Sequence, residues 1–288
     1  MSTTKKRRQT PQRQSRPPGW LTSDADEIER RRLRGVNEPI RIESQMSDDV
    51  FFGVYRTHSG SGQSYCVEIR SLVEPINSCN CPDHHINGLG TCKHIEATLH
   101  RLQYRRKRAF QKAASRGSPY IEIFLDRRDH RVRIRWPANS QRRSMARDLL
   151  TAFFNHEDTL VADPLDTLPA MERAINASPT HVRRRIRVSK QLNTWLETLD
   201  RRAQQRRSRQ HFEAEVTAGK ASLDLVKHPL YPYQQEGMLH LAFTGRALLA
   251  DEMGLGKTVQ AVAACELLRR ILDIRRVLVI SPASLKGE

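Results

Sequence analysis

The sequence has few aromatic residues and no long hydrophobic run. Aromatic residues make up 6% and hydrophobic residues 38% of the 288 residues, and the mean hydropathy is −0.64. No stretch has the length and composition of a membrane-spanning helix, and no secretory signal pattern is present. These absences exclude the membrane and secreted classes. They indicate an intracellular protein, located in the cytoplasm or nucleoid of a bacterium or in the nucleus of a eukaryote.

Cysteine is scarce, and lysine is scarce among the basic residues. Four of the five cysteines lie within residues 66–92, which favours an intracellular metal site over a disulfide framework. Lysine supplies 10 of the 49 basic residues, so arginine carries most of the net charge of +17. Because arginine makes bidentate contacts with phosphate, a polyanion is the expected partner. The alternative is an arginine-rich composition spread over solvated faces.

The chain has room for about two domains and divides into four segments. Residues 1–20 are predicted to be a disordered basic tail, because they contain nothing that could form a core. Residues 45–115 form a predicted small α+β module, and residues 116–224 a hairpin followed by a basic helical region, with a linker at 216–227. Residues 225–288 form the last segment.

Alternating patterns predict two β-hairpins. Residues 51–55 and 64–69 flank a glycine turn, a third short strand is expected near 75–79, and a helix is expected over 92–112. Residues 120–126 and 131–136 form the second predicted hairpin. Its later strand alternates apolar residues with Arg131, Arg133 and Arg135, a row that fits either a phosphate grip or a charged edge strand.

Residues 145–216 are predicted to be helical. An apolar stripe with helical spacing recurs there, and it is interpreted as core packing or a docking face. Its members are Val188, Leu192, Trp195 and Leu199.

The spacing Cys-x-Cys, ten residues, Cys-x-His predicts a metal site formed by Cys79, Cys81, Cys92 and His94. Three thiolates and one imidazole form a closed tetrahedral set that suits structural Zn²⁺. The histidines 84 and 85 in the intervening loop and Cys66 are rival ligands, ranked lower because of their positions. Reduced cysteines without metal are the remaining alternative. The arrangement closely resembles the SWIM-type zinc finger, and this resemblance implies binding to nucleic acid or protein.

Residues 251–258, Asp-Glu-Met-Gly-Leu-Gly-Lys-Thr, lie between an apolar run at 246–250 and a helical pattern. The order strand, glycine loop, helix presents backbone amides to phosphate oxygens. Gly254 and Gly256 let the backbone approach the phosphates, while Lys257 reaches the β- and γ-phosphates and Thr258 ligates Mg²⁺. The alternative is a chance sequence that opens an ordinary helix.

Two flanking segments extend this motif. Residues 230–237 precede it and residues 277–285 follow it, and the three together resemble the start of the ATPase motor in SWI/SNF-type helicase-like translocases. The resemblance implies an ATP site that comprises Asp251, Glu252, Met253, Gly254, Leu255, Gly256, Lys257 and Thr258. It also implies that Gln234 contacts adenine, that residues 282–285 approach nucleic acid, and that the partner is double-stranded DNA.

The expected fold class is α/β. A RecA-like P-loop domain begins as strand, P-loop, helix, strand, and it follows the zinc-binding module and the helical linker region. The acidic pair that orients water and Mg²⁺ lies outside the sequence, so this chain is expected to bind ATP without hydrolysing it.

Two other functions are weighed against this one. The first is a non-enzymatic nucleic-acid or protein adaptor with an inert P-loop. The second, an unrelated P-loop kinase or transferase, fits poorly because it leaves Gln234 and Pro282 unexplained.

Overall fold

The computed structural model describes residues 22–45, 49–138 and 146–281, and it has a mixed α/β architecture. The chain divides into two compact units, Met1–Leu192 and Asn193–Glu288. The predicted basic tail, residues 1–20, lies outside the described residues, and so do residues 282–285.

The first unit contains a four-stranded antiparallel sheet in the order β1-β2-β3-β4. The pairing of residues 53–58 with 64–69 confirms the first predicted hairpin. The short last strand confirms the third predicted strand, and it pairs with β3 through Val67 and Cys79. The strands are β1 (Arg41–Ser44), β2 (Gly53–His58), β3 (Ser64–Ile69) and β4 (Ser78–Cys79).

Four helices accompany this sheet: α1 (Asp24–Asn37), α2 (Pro82–Ile86), α3 (Lys93–Arg105) and α4 (Lys107–Arg116). The helix predicted over 92–112 is therefore two helices, because Arg106 leaves helical geometry at φ −145° and ψ 53°. Ile95 of α3 packs on the sheet, whereas Phe110 of α4 joins a separate aromatic cluster with Phe51.

Helix α1 begins at the Ser23 cap, which accepts a hydrogen bond from the Asp26 amide. It packs against α3 through Gly35, where a Cβ atom would lie 2.7 Å from the Ala97 nitrogen and 2.8 Å from the Lys93 oxygen. Only glycine permits this approach, because backbone atoms cannot move aside as a flexible side chain can.

The second sheet of the first unit has the order β6-β5-β7. Strands β5 (Ile121–Asp126) and β6 (Arg131–Arg135) form the second predicted hairpin. Strand β7 (Ile186–Val188) pairs parallel with β5. Predicting a continuous helical region over 145–216 was therefore wrong at Val188, which lies in a strand.

The remaining helices lie between and after these strands. They are α5 (residues 146–150), α6 (Pro164–Ala177), α7 (Thr180–Arg183), α8 (Gln191–Thr217), α9 (Pro232–Thr244) and α10 (Lys257–Leu272).

A buried ionic network connects the two sheets of the first unit. The Glu68 carboxylate on β3 pairs with Arg70 and accepts hydrogen bonds from the hydroxyls of Ser78 and Ser189 and from the Lys190 amide. Burial raises the pKa of Glu68, but Arg70 and these donors outweigh burial and lower the pKa overall. The carboxylate is therefore ionised, and it joins β4 to the segment that follows β7.

Two of the three arginines in the row on β6 pair with acidic side chains. Arg133 pairs with Asp126 and Asp129, and Arg135 pairs with Glu74 at 2.9 Å. These contacts favour the charged-strand interpretation of the row over a phosphate grip.

The second unit forms its own apolar core. Helices α9 and α10 pack together through Met238, Ala263 and Leu267, and Phe212 of α8 contacts Phe243. The predicted linker also contributes, because Leu225 is buried in this core.

The structure contradicts the two strands expected beside the P-loop. Residues 246–250 and 277–280 have no strand geometry, and the side chains of Leu248 and Ile280 are 83% and 88% exposed. Among the described residues of this unit no strand exists with which they could pair. The order strand, P-loop, helix, strand is therefore present only as loop and helix.

We expect overpacking against backbone atoms in Gly35→Ala to force α1 away from α3, at a cost of up to about 3 kcal/mol. The roughly 1 kcal/mol that alanine gains over glycine inside a helix offsets part of this cost, which leaves a net loss of up to about 2 kcal/mol. Urea unfolding measures the difference, with Arg32→Ala on the exposed side of α1 as the control. A Gly35→Ala protein as stable as the parent would contradict the close packing.

We expect Glu68→Ala to cost about 3–5 kcal/mol, because it leaves Arg70 buried without its carboxylate. Glu74→Ala, which removes a largely exposed pair with Arg135, should cost no more than about 1 kcal/mol. The same urea unfolding experiment compares the two variants. Equal losses of unfolding free energy in the two variants would show that burial does not increase the contribution of Glu68 to stability.

Candidate metal centre and phosphate loop

The four predicted metal ligands come from the ends of three elements. Cys79 ends β4, Cys81 caps α2, and Cys92 and His94 lie at the start of α3. All four are buried, and one potential ligand atom from each lies within 4.8 Å of the others.

The distances between these atoms suit a single metal ion. His94 Nδ1 lies 3.9 Å from the sulfurs of both Cys79 and Cys92. Tetrahedral zinc with bonds of about 2.3 Å to sulfur and about 2.0–2.1 Å to nitrogen separates such ligands by about 3.6 Å. The residues present therefore fit zinc after a shift of a few tenths of an ångström.

The chemistry of the donor set agrees with this geometry. Contacts with the other two thiols raise the pKa of Cys79, and burial raises the pKa of Cys92, whereas contacts with Cys79 and Cys92 lower the pKa of Cys81. A buried thiol cluster resists the accumulation of negative charge, which a divalent cation would compensate.

The loop between the two ligand pairs is fixed by its own contacts. The Asn87 side chain donates to the Thr91 oxygen at 2.9 Å and accepts from the Leu89 amide at 2.8 Å. Gly90 has φ +71°, and a Cβ there would lie 2.5 Å from the Pro75 oxygen. The loop therefore returns the chain to Cys92 in one conformation.

The structure leaves the rival ligands outside the cluster. His84 is buried and both its ring nitrogens lack a hydrogen-bond partner within the described chain, but it does not join the four ligand atoms. His85 contacts Arg127 at 3.2 Å, and Cys66 lies on β3 opposite Arg56.

In the second unit, residues 251–258 form a glycine loop at the start of α10. Gly254 and Gly256 have φ +86° and +71°, in the left-handed region that favours glycine. Gly256 is the cap residue of α10 and has no side chain that could accept from the first amides of the helix. These amides and the helix dipole are available to an anion.

The Lys257 ammonium is held within the loop. It donates to the backbone oxygens of Asp251 at 2.8 Å and Glu252 at 2.7 Å. These two bonds hold the ammonium against the backbone of the loop. Thr258 is exposed at the second residue of the helix, whereas Met253 is 96% exposed and makes no comparable contribution.

The side chains of two glutamines hold the glycine loop through hydrogen bonds. Gln234 accepts from the Tyr231 amide at 3.1 Å and donates to the Leu255 oxygen at 3.3 Å. Gln260 donates to Asp251 at 3.0 Å and also to the Leu255 oxygen. The structure therefore places Gln234 against the loop, where its amide is already engaged.

Sequence analysis did not identify Gln260 as part of this site. The signal was available, since a glutamine one turn after Lys257 faces the same side of the helix as the lysine. A cavity of about 470 Å³ lies beside the loop, bordered by Tyr233, Asp251 and Leu255.

Across the described ranges, no helix combines the length and the apolar character needed to cross a membrane.

The comparisons with known proteins locate a family relationship in the later part of the chain. The SNF2-related domain matches residues 130–287, which is more than half of the sequence. A protein of Caenorhabditis elegans, the SWI/SNF-related matrix-associated actin-dependent regulator of chromatin subfamily A-like protein 1 homolog, is 42% identical over 76 residues. That match covers 24% of this chain and 11% of the relative, so the chain spans about a tenth of the relative's length.

No solved structure matches the chain. The SNF2-related match includes the glycine loop, Lys257 and the helix that follows, which together have the geometry of an anion site. The chain therefore belongs to the SNF2-related domain family of helicase-like ATPases.

Proposed function

We propose that the chain is part of an ATP-driven nucleic-acid translocase of SWI/SNF type. The observation that carries this proposal is the loop of residues 251–258, with two left-handed glycines and the Lys257 ammonium held beside the helix N-terminus. Membership of the SNF2-related domain family supports the same function.

In this proposal Asp251–Thr258 hold the phosphates of ATP. Lys257 contacts the β- and γ-phosphates, Thr258 ligates Mg²⁺, and the cavity beside the loop accepts the rest of the nucleotide. Gln234 contacts adenine only if its side-chain amide breaks the hydrogen bond to the Leu255 oxygen. That bond is weak, because its length is 3.3 Å. Hydrolysis would also require acidic groups that orient water and Mg²⁺.

The zinc site is the second part of the proposal. Cys79, Cys81, Cys92 and His94 bind one Zn²⁺, which would tie β4 to the starts of α2 and α3. The buried donor set and its distances support this assignment. Zinc with four protein ligands supplies structural stability and no catalysis. The module would present its basic helices to double-stranded DNA or to a protein.

The name of the C. elegans relative describes a chromatin regulator. We propose by analogy that the present protein acts on DNA, in the nucleus if its host is a eukaryote.

An adaptor function is the second candidate. It is favoured by two observations: the Lys257 ammonium donates to two backbone oxygens, and residues 277–280 lie exposed. In that case the loop would not bind nucleotide, and the zinc module and arginine surfaces would carry the activity.

We expect about one zinc per purified chain, because four ligands complete one tetrahedral site. Cys92→Ala should lose the metal and unfold the module on mild heating, as chelation of the parent should. Elemental analysis and circular dichroism measure these effects. Cys66→Ala and Cys265→Ala are matched controls that should retain full zinc. Loss of zinc from Cys66→Ala together with retention in Cys92→Ala would overturn the ligand assignment.

We expect the 288-residue chain to bind ATP with Mg²⁺. Lys257→Ala should weaken binding by at least about tenfold, since it removes a charged contact with phosphate. Isothermal titration calorimetry measures the affinity, with Lys220→Ala on the exposed surface as the control. Binding that is unchanged by Lys257→Ala would favour the adaptor.

A further inference from the structure

An open groove of about 720 Å³ in the second unit is lined by arginine side chains. Helix α8 contributes Arg201, Arg202, Arg206 and Arg209, and Arg246 lies on the opposite wall just after the end of α9. The sequence shows these arginines only as part of a general excess of positive charge, and the fold brings them together.

The spacing of the four helical arginines places them on one face of α8. At 3.6 residues per turn they fall within an arc of about 140°, and Arg201 and Arg209 lie about 12 Å apart along the axis. Arg207 points to the opposite side of the same helix. The carboxylates of Glu197 and Asp200 also lie more than about 100° from the centre of the arginine face.

Four of these five guanidinium groups have no acidic partner. Within the described chain, Arg201, Arg202, Arg206 and Arg246 form no ion pair, and all four are exposed. Arg209 differs, because Glu213 at 2.8 Å and Glu236 at 2.6 Å hold it in place. The Arg209 contacts fix the two helices that form the groove, and the other arginines remain available.

Unpaired like charges in one groove repel each other, and an anion relieves this repulsion. Guanidinium groups suit phosphate oxygens in particular because they donate two parallel hydrogen bonds. The groove is open and longer than a single phosphate, so its dimensions favour a polymer of phosphates. Along one strand of B-DNA, 12 Å corresponds to about three to four phosphates at 3.4 Å each.

We infer that this arginine groove binds the phosphodiester backbone of a nucleic acid. The inference rests on the proposed function, because it assigns a specific surface to the nucleic-acid binding that this function requires. Contacts of this kind position the protein without reading base sequence. The groove shares no lining residue with the cavity beside the phosphate loop, so the two sites can be tested separately.

The test measures binding of a fluorescent DNA duplex, and of a matching single strand, to the 288-residue chain over a range of salt concentrations. Arg202→Glu combined with Arg206→Glu should weaken binding by at least roughly tenfold at low salt. If both arginines contact duplex phosphates, the slope of log affinity against log salt should fall by about 0.9 for each. Arg207→Glu carries the same change of charge per residue on the opposite face, and it should have little effect.

A neutral pair of substitutions, Arg202→Gln with Arg206→Gln, guards against misfolding caused by charge reversal. It should show the same reduction in slope while circular dichroism and ATP binding stay at the level of the parent. Weaker binding of both the duplex and the single strand would indicate recognition of the backbone, and a loss confined to one form would assign the groove to that form.

The inference is overturned if Arg207→Glu weakens binding as much per substituted residue as the groove variants do, since total charge would then explain the effect. Unchanged binding by the groove variants would overturn it as well. A different result would overturn the proposed function. If the parent chain does not bind ATP but the groove variants still lose DNA, the groove is established and the ATP site is not.

Discussion

The ion pair between Glu68 and Arg70 is the interaction on which the first unit depends most. Both side chains are almost fully buried, and a carboxylate in such a position is stable only when every oxygen has a donor. Hydroxyls and an amide from two distant segments supply those donors. Ser78 lies immediately before Cys79, so the same network fixes the strand from which the first metal ligand comes. The geometry of the candidate metal centre is thus supported by a polar contact outside it.

Sequence patterns predicted the local features of this fold well. The first hairpin and the grouping of three cysteines with His94 follow from alternation and spacing, which are short-range properties. Strand β7 was missed because its three residues, Ile186–Val188, are too few for a period to appear, and its partner β5 lies about sixty residues earlier. Helix α1 depends on a glycine contact with α3, which no pattern within α1 reveals.

At the phosphate loop, the conformation of the motif agrees with the sequence prediction, whereas the surroundings of the motif do not. Its glycines and Lys257 were predicted from the motif, and the left-handed conformations agree with their roles. The neighbouring apolar runs were predicted as buried strands, yet they are exposed because an apolar run forms a strand only when another strand supplies hydrogen bonds. Gln234 was assigned to adenine by resemblance, and the structure shows its amide bonded to the loop. The sequence patterns did not predict these contacts, because each one joins two separate segments of the chain.

The closeness of the three thiols in the candidate metal centre has a chemical consequence of its own. Their sulfurs lie within 4.8 Å of one another, and none is in a disulfide in the described structure. Thiols this near can be joined by oxidation after small side-chain rotations, and a sulfur in a disulfide no longer donates to zinc. Oxidants and metal therefore compete for the same atoms. If the cluster binds zinc as proposed, metal content after purification will depend on reducing conditions as well as on zinc supply. Oxidative loss of that zinc would then loosen β4 and the starts of α2 and α3 together.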